Sequence, residues 1–150
     1  MKNLSTSVLV AFTIFLSACQ PHAMSRDATE VADSDELFGI WVVEYISERP
    51  VIDGSPARIQ FGADGAINGN ASCNRFFGDY TYQEGRLTIN PLGSTRMMCL
   101  PSLMEQETRL LEFLPTARSA SIENGLLILR DANGRLIIQA SVEEAKSNNR

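Results

Sequence analysis

Three cysteines and one histidine bound the chemistry that this 150-residue chain could perform. Cys73 and Cys99 stand 26 residues apart, with no C-x-x-C redox spacing, and without a nearby histidine they leave a zinc ion short of ligands. In an oxidising compartment an even pair suggests a disulfide, and two buried free thiols are the competing reading. Closing a loop of this length would stabilise the domain by about 3.5 kcal/mol in the chain-entropy model. His22, the sole histidine, sits in a polar stretch and reads as a solvated linker residue. No base therefore stands beside a serine or cysteine nucleophile in the folded part, and hydrolase chemistry lacks its partner. Asp79 and Glu84 are candidates for a carboxylate pair, and Arg75 and Arg96, near the two cysteines in sequence, for a small anion site. Solvated turn residues are the simpler reading of both. Met97-Met98 offers soft sulfur, with core or edge packing favoured. Nucleotide-binding loops, dinucleotide fingerprints and calcium loops are missing from the sequence. The expectation is a chain with no catalytic residue, no metal and no cofactor.

The third cysteine has a different setting. Lys2 gives a positive start, Val8 to Leu16 is an apolar run broken only by Thr13, and Leu16-Ser17-Ala18-Cys19 follows. The run is too short to span a bilayer, which takes about 20 apolar residues. It reads as a secretory signal peptide over residues 1–18. Leu16 to Cys19 resembles a bacterial lipobox, which implies that Cys19 becomes the lipid-bearing first residue. Gln20, rather than aspartate, follows it, so the same resemblance favours the outer membrane, facing the periplasm, over the inner membrane. Cleavage removes Lys2 and leaves 132 residues with a net charge of −6, against −5 for the whole chain. So acidic a surface repels phosphate backbones and excludes nucleic acid as an expected partner. Residues 19–36, lipidated at the start and polar after it, read as a flexible tether.

The elements that must position the remaining groups are mostly strands. Trp41, Val43 and Tyr45 fall on one strand face and Glu44 on the other. Ile59 and Phe61 alternate with Arg58 and Gln60, Asp64-Gly65 signals a hairpin, and Ala66 to Gly69 starts the return. Tyr80 and Tyr82 flank Thr81, Gln83-Glu84-Gly85 turns the chain, and Leu87 and Ile89 alternate with polar neighbours. Asn124-Gly125 and Asn133-Gly134 punctuate three late apolar runs: Ala120 to Ile122, Leu126 to Leu129 and Leu136 to Ile138. This pattern predicts antiparallel pairing, as a β-barrel-like fold or a strongly bent sheet. One helix interrupts it. Ser102-Leu103-Met104-Glu105 matches a capping box; Leu103, Leu110 and Leu114, with Met104 and Leu111, form an apolar stripe; and Pro115 ends the segment. The fold class is α+β, mostly β, with a single helix packed on the sheet.

Four pieces in order carry a family resemblance. Leu37-Phe38-Gly39-Ile40-Trp41 resembles an opening L-x-G-x-W. Gly69 to Tyr80 (GNASCNRFFGDY) resembles a G-x-x-G-C-N stretch followed by G-x-Y. Gly93 to Cys99 (GSTRMMC) resembles a T-x-M-x-C stretch, and the helix holding Glu105 and Leu110 comes next. Together they resemble the META domain (HslJ-like) family over about residues 37–141, which leaves 142–150 as a polar tail. The resemblance implies a compact β fold with one helix. Its motif residues here are Gly39, Trp41, Gly69, Asn74, Gly78, Tyr80, Thr95 and Met97, and each suggests a structural role. Gly69 and Gly78 would allow bends or close backbone approach, Asn74 would fix a turn through its own neighbours, and Trp41, Phe76 and Tyr80 would fill a small core. Ser72 departs from the pattern, which carries glycine there; if the site needs a positive φ, serine is strained.

The resemblance implies a non-enzymatic envelope lipoprotein concerned with heat or toxic-compound tolerance, monomeric, held to the membrane by its lipid and open to a protein partner in the envelope. An inhibitor or binding module against a lysozyme or protease is the alternative, using the 73–99 stretch or the Asn133-Gly134 hairpin as its loop. A small-molecule or lipid carrier with a hollow barrel is the weaker alternative.

Overall fold

The computed structural model describes residues 34–143. The signal segment, Cys19, Gln20, His22 and residues 144–150 lie outside the described residues. A helical turn α1 (Ser34–Leu37) leads into β1 (Gly39–Ile46), β2 (Arg49–Pro50), β3 (Arg58–Phe61), β4 (Ala66–Asn70), β5 (Arg75–Gln83), β6 (Arg86–Ile89) and β7 (Gly93–Ser94). Helix α2 (Pro101–Phe113) and a 3-10 turn (Leu114–Thr116) follow, then β8 (Ser119–Glu123), β9 (Leu126–Arg130) and β10 (Leu136–Val142). Ser34–Leu37, at the end of the stretch expected as a tether, form the helical turn, and the buried Leu37 accepts the Trp41 indole N–H on its carbonyl at 2.9 Å. At the other end Val142 pairs with Trp41 and the Glu143 amide donates to the Ile40 carbonyl.

All strand pairs are antiparallel. The order β10-β9-β8-β6-β5-β4-β3-β1 closes on itself through β1–β10, which makes a ring of eight strands, with β2 and β7 as short additions on β1 and β5. Closure removes the bare edges that an open sheet would present. The thinnest seam is β6–β8, joined by one residue pair, Arg86 with Ser119, and by amide bonds from Leu87 to Arg118 and from Ala120 to Gly85.

Inward residues of every strand in the ring fill the interior: Trp41 and Val43, Ile59 and Phe61, Ile67, Phe76 and Tyr80, Leu87 and Ile89, then Ala120, Leu127, Leu129 and Ile138. Phe61 meets Tyr80 edge to face at 5.0 Å, an arrangement that aromatic quadrupoles favour. This filled core counts against a carrier with a hollow barrel. The turn signals at Glu84-Gly85 and Asn124-Gly125 are left-handed at both residues, as a two-residue hairpin requires.

Two details depart from the sequence pattern. Tyr45 is 40% exposed and Ile46 takes the buried place, because a register shift between Val43 and Tyr45 puts a bulge in β1 opposite β10. The capping box does not form: Pro101 opens α2, Leu100 occupies the cap without a side-chain bond, and Glu105 instead meets Arg49 in an exposed pair at 3.5 Å. Proline suits the first helical position, since its fixed φ is helical and its missing N–H would lack a partner there anyway. The packed stripe of α2 runs through Gln106, Leu110 and the following Leu114, while Met104 points outward.

Candidate functional site

The family-type residues converge where α2 meets the turn between β4 and β5. Asn74 is buried there, and its amide is fully used: Nδ2 donates to the Met97 carbonyl at 3.1 Å and to Glu107 Oε1 at 3.0 Å, while Oδ1 accepts from Thr95 Oγ1 at 2.8 Å and from the Met97 amide at 2.6 Å. The Asn74 backbone N–H donates to Glu107 Oε2 at 2.6 Å. One asparagine therefore ties the β4–β5 turn to the 95–97 segment and to the helix. Its partners are more than 20 residues away in sequence, so the expected bond to its own neighbours is replaced by a long-range hub. Cys73 and Cys99 close a disulfide beside it, with Cα atoms 5.9 Å apart.

A second buried group lies next to the first. Gln106 Nε2 donates to Ser55 Oγ and Ser72 Oγ, both at 2.7 Å, and Gln106 Oε1 accepts the Ile52 amide at 2.7 Å. Ser72 has a φ of 111°, so the site does need the conformation that glycine favours. Its hydroxyl supplies a partner for the buried glutamine, and its amide donates to Asn70 Oδ1 at 2.8 Å. The strain and the hydroxyl contact stand against each other at one residue. Gln106 and Glu107 escaped the sequence reading because both are polar and their partners lie far off; the available signal was that Gln106 follows Leu103 by three and precedes Leu110 by four.

The other motif positions are structural in the same sense. A Cβ at Gly69 would lie 2.0 Å from the Arg58 carbonyl oxygen and 2.8 Å from the Phe76 ring, so close approach is what requires glycine. At Gly78 the obstacle is Leu92, at 2.8 Å. Gly39 adopts a φ of 136° at the start of β1. Tyr80 donates its hydroxyl to the Gly62 carbonyl at 2.9 Å, and burial, then the nearby Asp64 carboxylate, push its phenol above the usual range.

These contacts join Asn74, Thr95, Met97 and α2 into one connected unit, and a match to the META domain model runs over residues 35–144. The chain belongs to the META domain family. A curated META relative, "Heat shock protein HslJ" of Escherichia coli (strain K12), is 30% identical over 132 residues, spanning 87% of this chain and 91% of the relative. A chain solved by NMR is 30% identical with a TM-score of 0.57, covering 73% of this chain and 95% of its own length. An NMR structure of a protein from Burkholderia xenovorans is 22% identical with a TM-score of 0.61, covering 97% and 100%; this likeness speaks for the fold alone.

The remaining candidates of the META chain scatter. Asp79 lies within β5 and Glu84 in the turn that follows it, both exposed, and no hydrogen bond joins their side chains among the described residues. Met97 and Met98 are exposed, Met98 at 91%, instead of packing in the core, because the hub and disulfide hold the backbone of that loop while its side chains face outward. Arg96 is exposed and is not among the residues that line an open groove of about 580 Å³ on the outer face of β1, β3, β4 and β5, where Arg75 joins Arg58. Strand register builds this groove. Ile40, Gln60, Asn68 and Phe77 lie in one cross-strand row, and Arg58, Asn70 and Arg75 in the next. The sequence shows these residues as unrelated outward positions, and only the pairing brings them together.

Proposed function

We propose that this META protein is a non-enzymatic lipoprotein of the cell envelope, anchored through Cys19 on the periplasmic face of the outer membrane, that supports tolerance of heat or toxic compounds. The single observation that carries the reading is the use of the family motif. Asn74, Thr95, Met97 and the cysteines bond to one another and to α2, and the motif offers no nucleophile–base pair. Such a site keeps a small barrel folded; it does not turn over a substrate. The name of the Escherichia coli relative supports the stress-related part.

The test is complementation of a deletion strain under heat and antibiotic challenge. Wild-type protein restores survival and Cys19→Ala, which cannot be lipidated, does not. Equal rescue by both removes the anchored reading. Turnover of a substrate by purified protein, lost in a folded Asp79→Asn variant, removes the non-enzymatic one.

The inhibitor reading draws on one specific observation. Met97, Met98 and Leu100 are exposed on a loop whose backbone is pinned by the disulfide and by Asn74, which is the rigid apolar protrusion that blocking an enzyme cleft demands. Pull-down against lysozymes and secreted proteases, with Met98→Asp as the control, tests it.

A further inference from the structure

We propose that the groove across β1, β3, β4 and β5 is a binding site for an acidic, carboxylate-bearing oligosaccharide. This goes beyond the scaffold reading and does not depend on how the protein is anchored.

Three kinds of group meet in the groove. The first is cationic. The Arg75 guanidinium has no partner among the described residues and Arg75 is exposed at the groove wall. Arg58 stands two strands away in the same cross-strand row, about 10 Å at the backbone. It holds Glu143 at 3.0 Å through one terminal nitrogen, and its Nε is buried without a hydrogen-bond partner. The free planar fork of Arg75 suits a planar carboxylate, which accepts two parallel N–H bonds. Glu143 offsets the Arg58 charge, so Arg75 is the uncompensated cation of the groove, on a chain whose net charge is −5.

The second kind is amide. Gln60 and Asn68 are directly opposed on β3 and β4, both exposed, and neither side chain has a partner among the described residues. Each amide offers one acceptor and two donors, and sugar hydroxyls both donate and accept. This is the reverse of Asn74 and Gln106, whose amides are fully taken. The third kind is aromatic. Phe77 lies opposite Asn68, is 58% exposed and lines the groove. A Cβ on Gly93 would come within 2.7 Å of its ring, so the absence of a side chain at Gly93 lets the ring rest against β7 and hold its position. An exposed, immobilised ring is a platform for the apolar face of a pyranose.

The arrangement disfavours other occupants. A peptide strand would need a free sheet edge, and β3 and β4 are paired on both sides. A nucleic acid would need many more cations to offset the acidic surface.

The experiment is an NMR titration of the 15N-labelled full chain with three probes: a glucuronate-containing tetrasaccharide, tetra-N-acetylchitotetraose as the neutral analogue, and tetraglutamate. The expected result is shifts at residues 58–60, 68–70 and 75–77 with the acidic sugar, and binding about tenfold weaker for the neutral sugar and for Arg75→Ala, as loss of a charge-assisted contact dictates. Asn68→Asp, which places a like charge in the groove of a folded protein, weakens the acidic sugar at least as much. No shifts with the acidic sugar, equal affinity for the neutral one, tighter binding of tetraglutamate, or full affinity in both variants overturns the proposal.

Discussion

At one end of the barrel Asn74 and Gln106 commit their whole side-chain amides to neighbours, whereas on the outer face Gln60 and Asn68 commit none among the described residues. The residue types are the same, although Asn74 sits in a turn and Gln106 on a helix while Gln60 and Asn68 sit on strands. What differs is the opposing surface. The β4–β5 turn faces a helix and a disulfide-tethered loop, so each polar atom there is buried and must be answered, and an orphan would be costly. The groove faces solvent, so its amides and Arg75 stay available. Saturated polar groups hold a structure and unsaturated ones recognise something else, which assigns separate tasks to the two regions.

The largest expected break in that division is Asn74→Ala. It removes four hydrogen bonds and strands the Met97 amide, while Glu107 keeps only the backbone N–H of residue 74, so unfolding stability should fall by about 4 kcal/mol. Urea titration measures it. Arg75→Ala, in the groove, should stay within about 0.5 kcal/mol of wild type in the same titration; a larger loss would mean that the groove is structural too.

Ser72 sharpens the comparison at one position. Ser72→Ala keeps the φ of 111° and deletes the hydroxyl that serves Gln106, so it should cost about 1.5 kcal/mol. Ser72→Gly deletes the same hydroxyl but relieves the backbone, and should lie within about 1 kcal/mol of wild type. The gap between the two variants is the strain less the extra chain entropy that glycine loses on folding, and equal losses would show that the strain is no larger than that entropy.

The smallest expected effect is at the β9–β10 loop. Partial burial draws the Asp131 carboxyl upward, but hydrogen bonds from the Arg135 side chain and backbone and from the Asn133 amide, with the Arg135 charge, leave it below the ordinary aspartate range. A carboxyl lowered in the folded state stabilises above its unfolded pKa, and that contribution disappears as pH falls through the folded value. Asp131→Asn should therefore be less stable than wild type at neutral pH and converge with it in acid. Thermal unfolding across pH 2 to 7 decides, and a constant gap would contradict the assignment.

Much of the barrel was legible because strand alternation and turn chemistry are local. Ile59 with Phe61, Leu87 with Ile89, and the Asn-Gly and Glu-Gly turns appear where their patterns put them. Tyr45 was misplaced because a bulge is a property of the pair β1–β10, invisible in either strand alone. The capping box failed because Pro101 offers a better start than Ser102. At the candidate sites, the pairing of Cys73 with Cys99 was readable, but the partners of Asn74 were not, and the groove required the register of four strands.

Ring closure has a consequence for how the polypeptide is made. β1 is flanked by β3, its near neighbour in sequence, and by β10, almost a hundred residues later. A chain emerging N-terminus first, from a ribosome or a translocation pore, must hold β1 half-paired until residue 142 has arrived. A product halted before Leu136 would display two hydrogen-bonding margins, on β1 and β9, ready to join other chains. Native assembly is thus a late, all-at-once event, and incomplete copies are the aggregating ones.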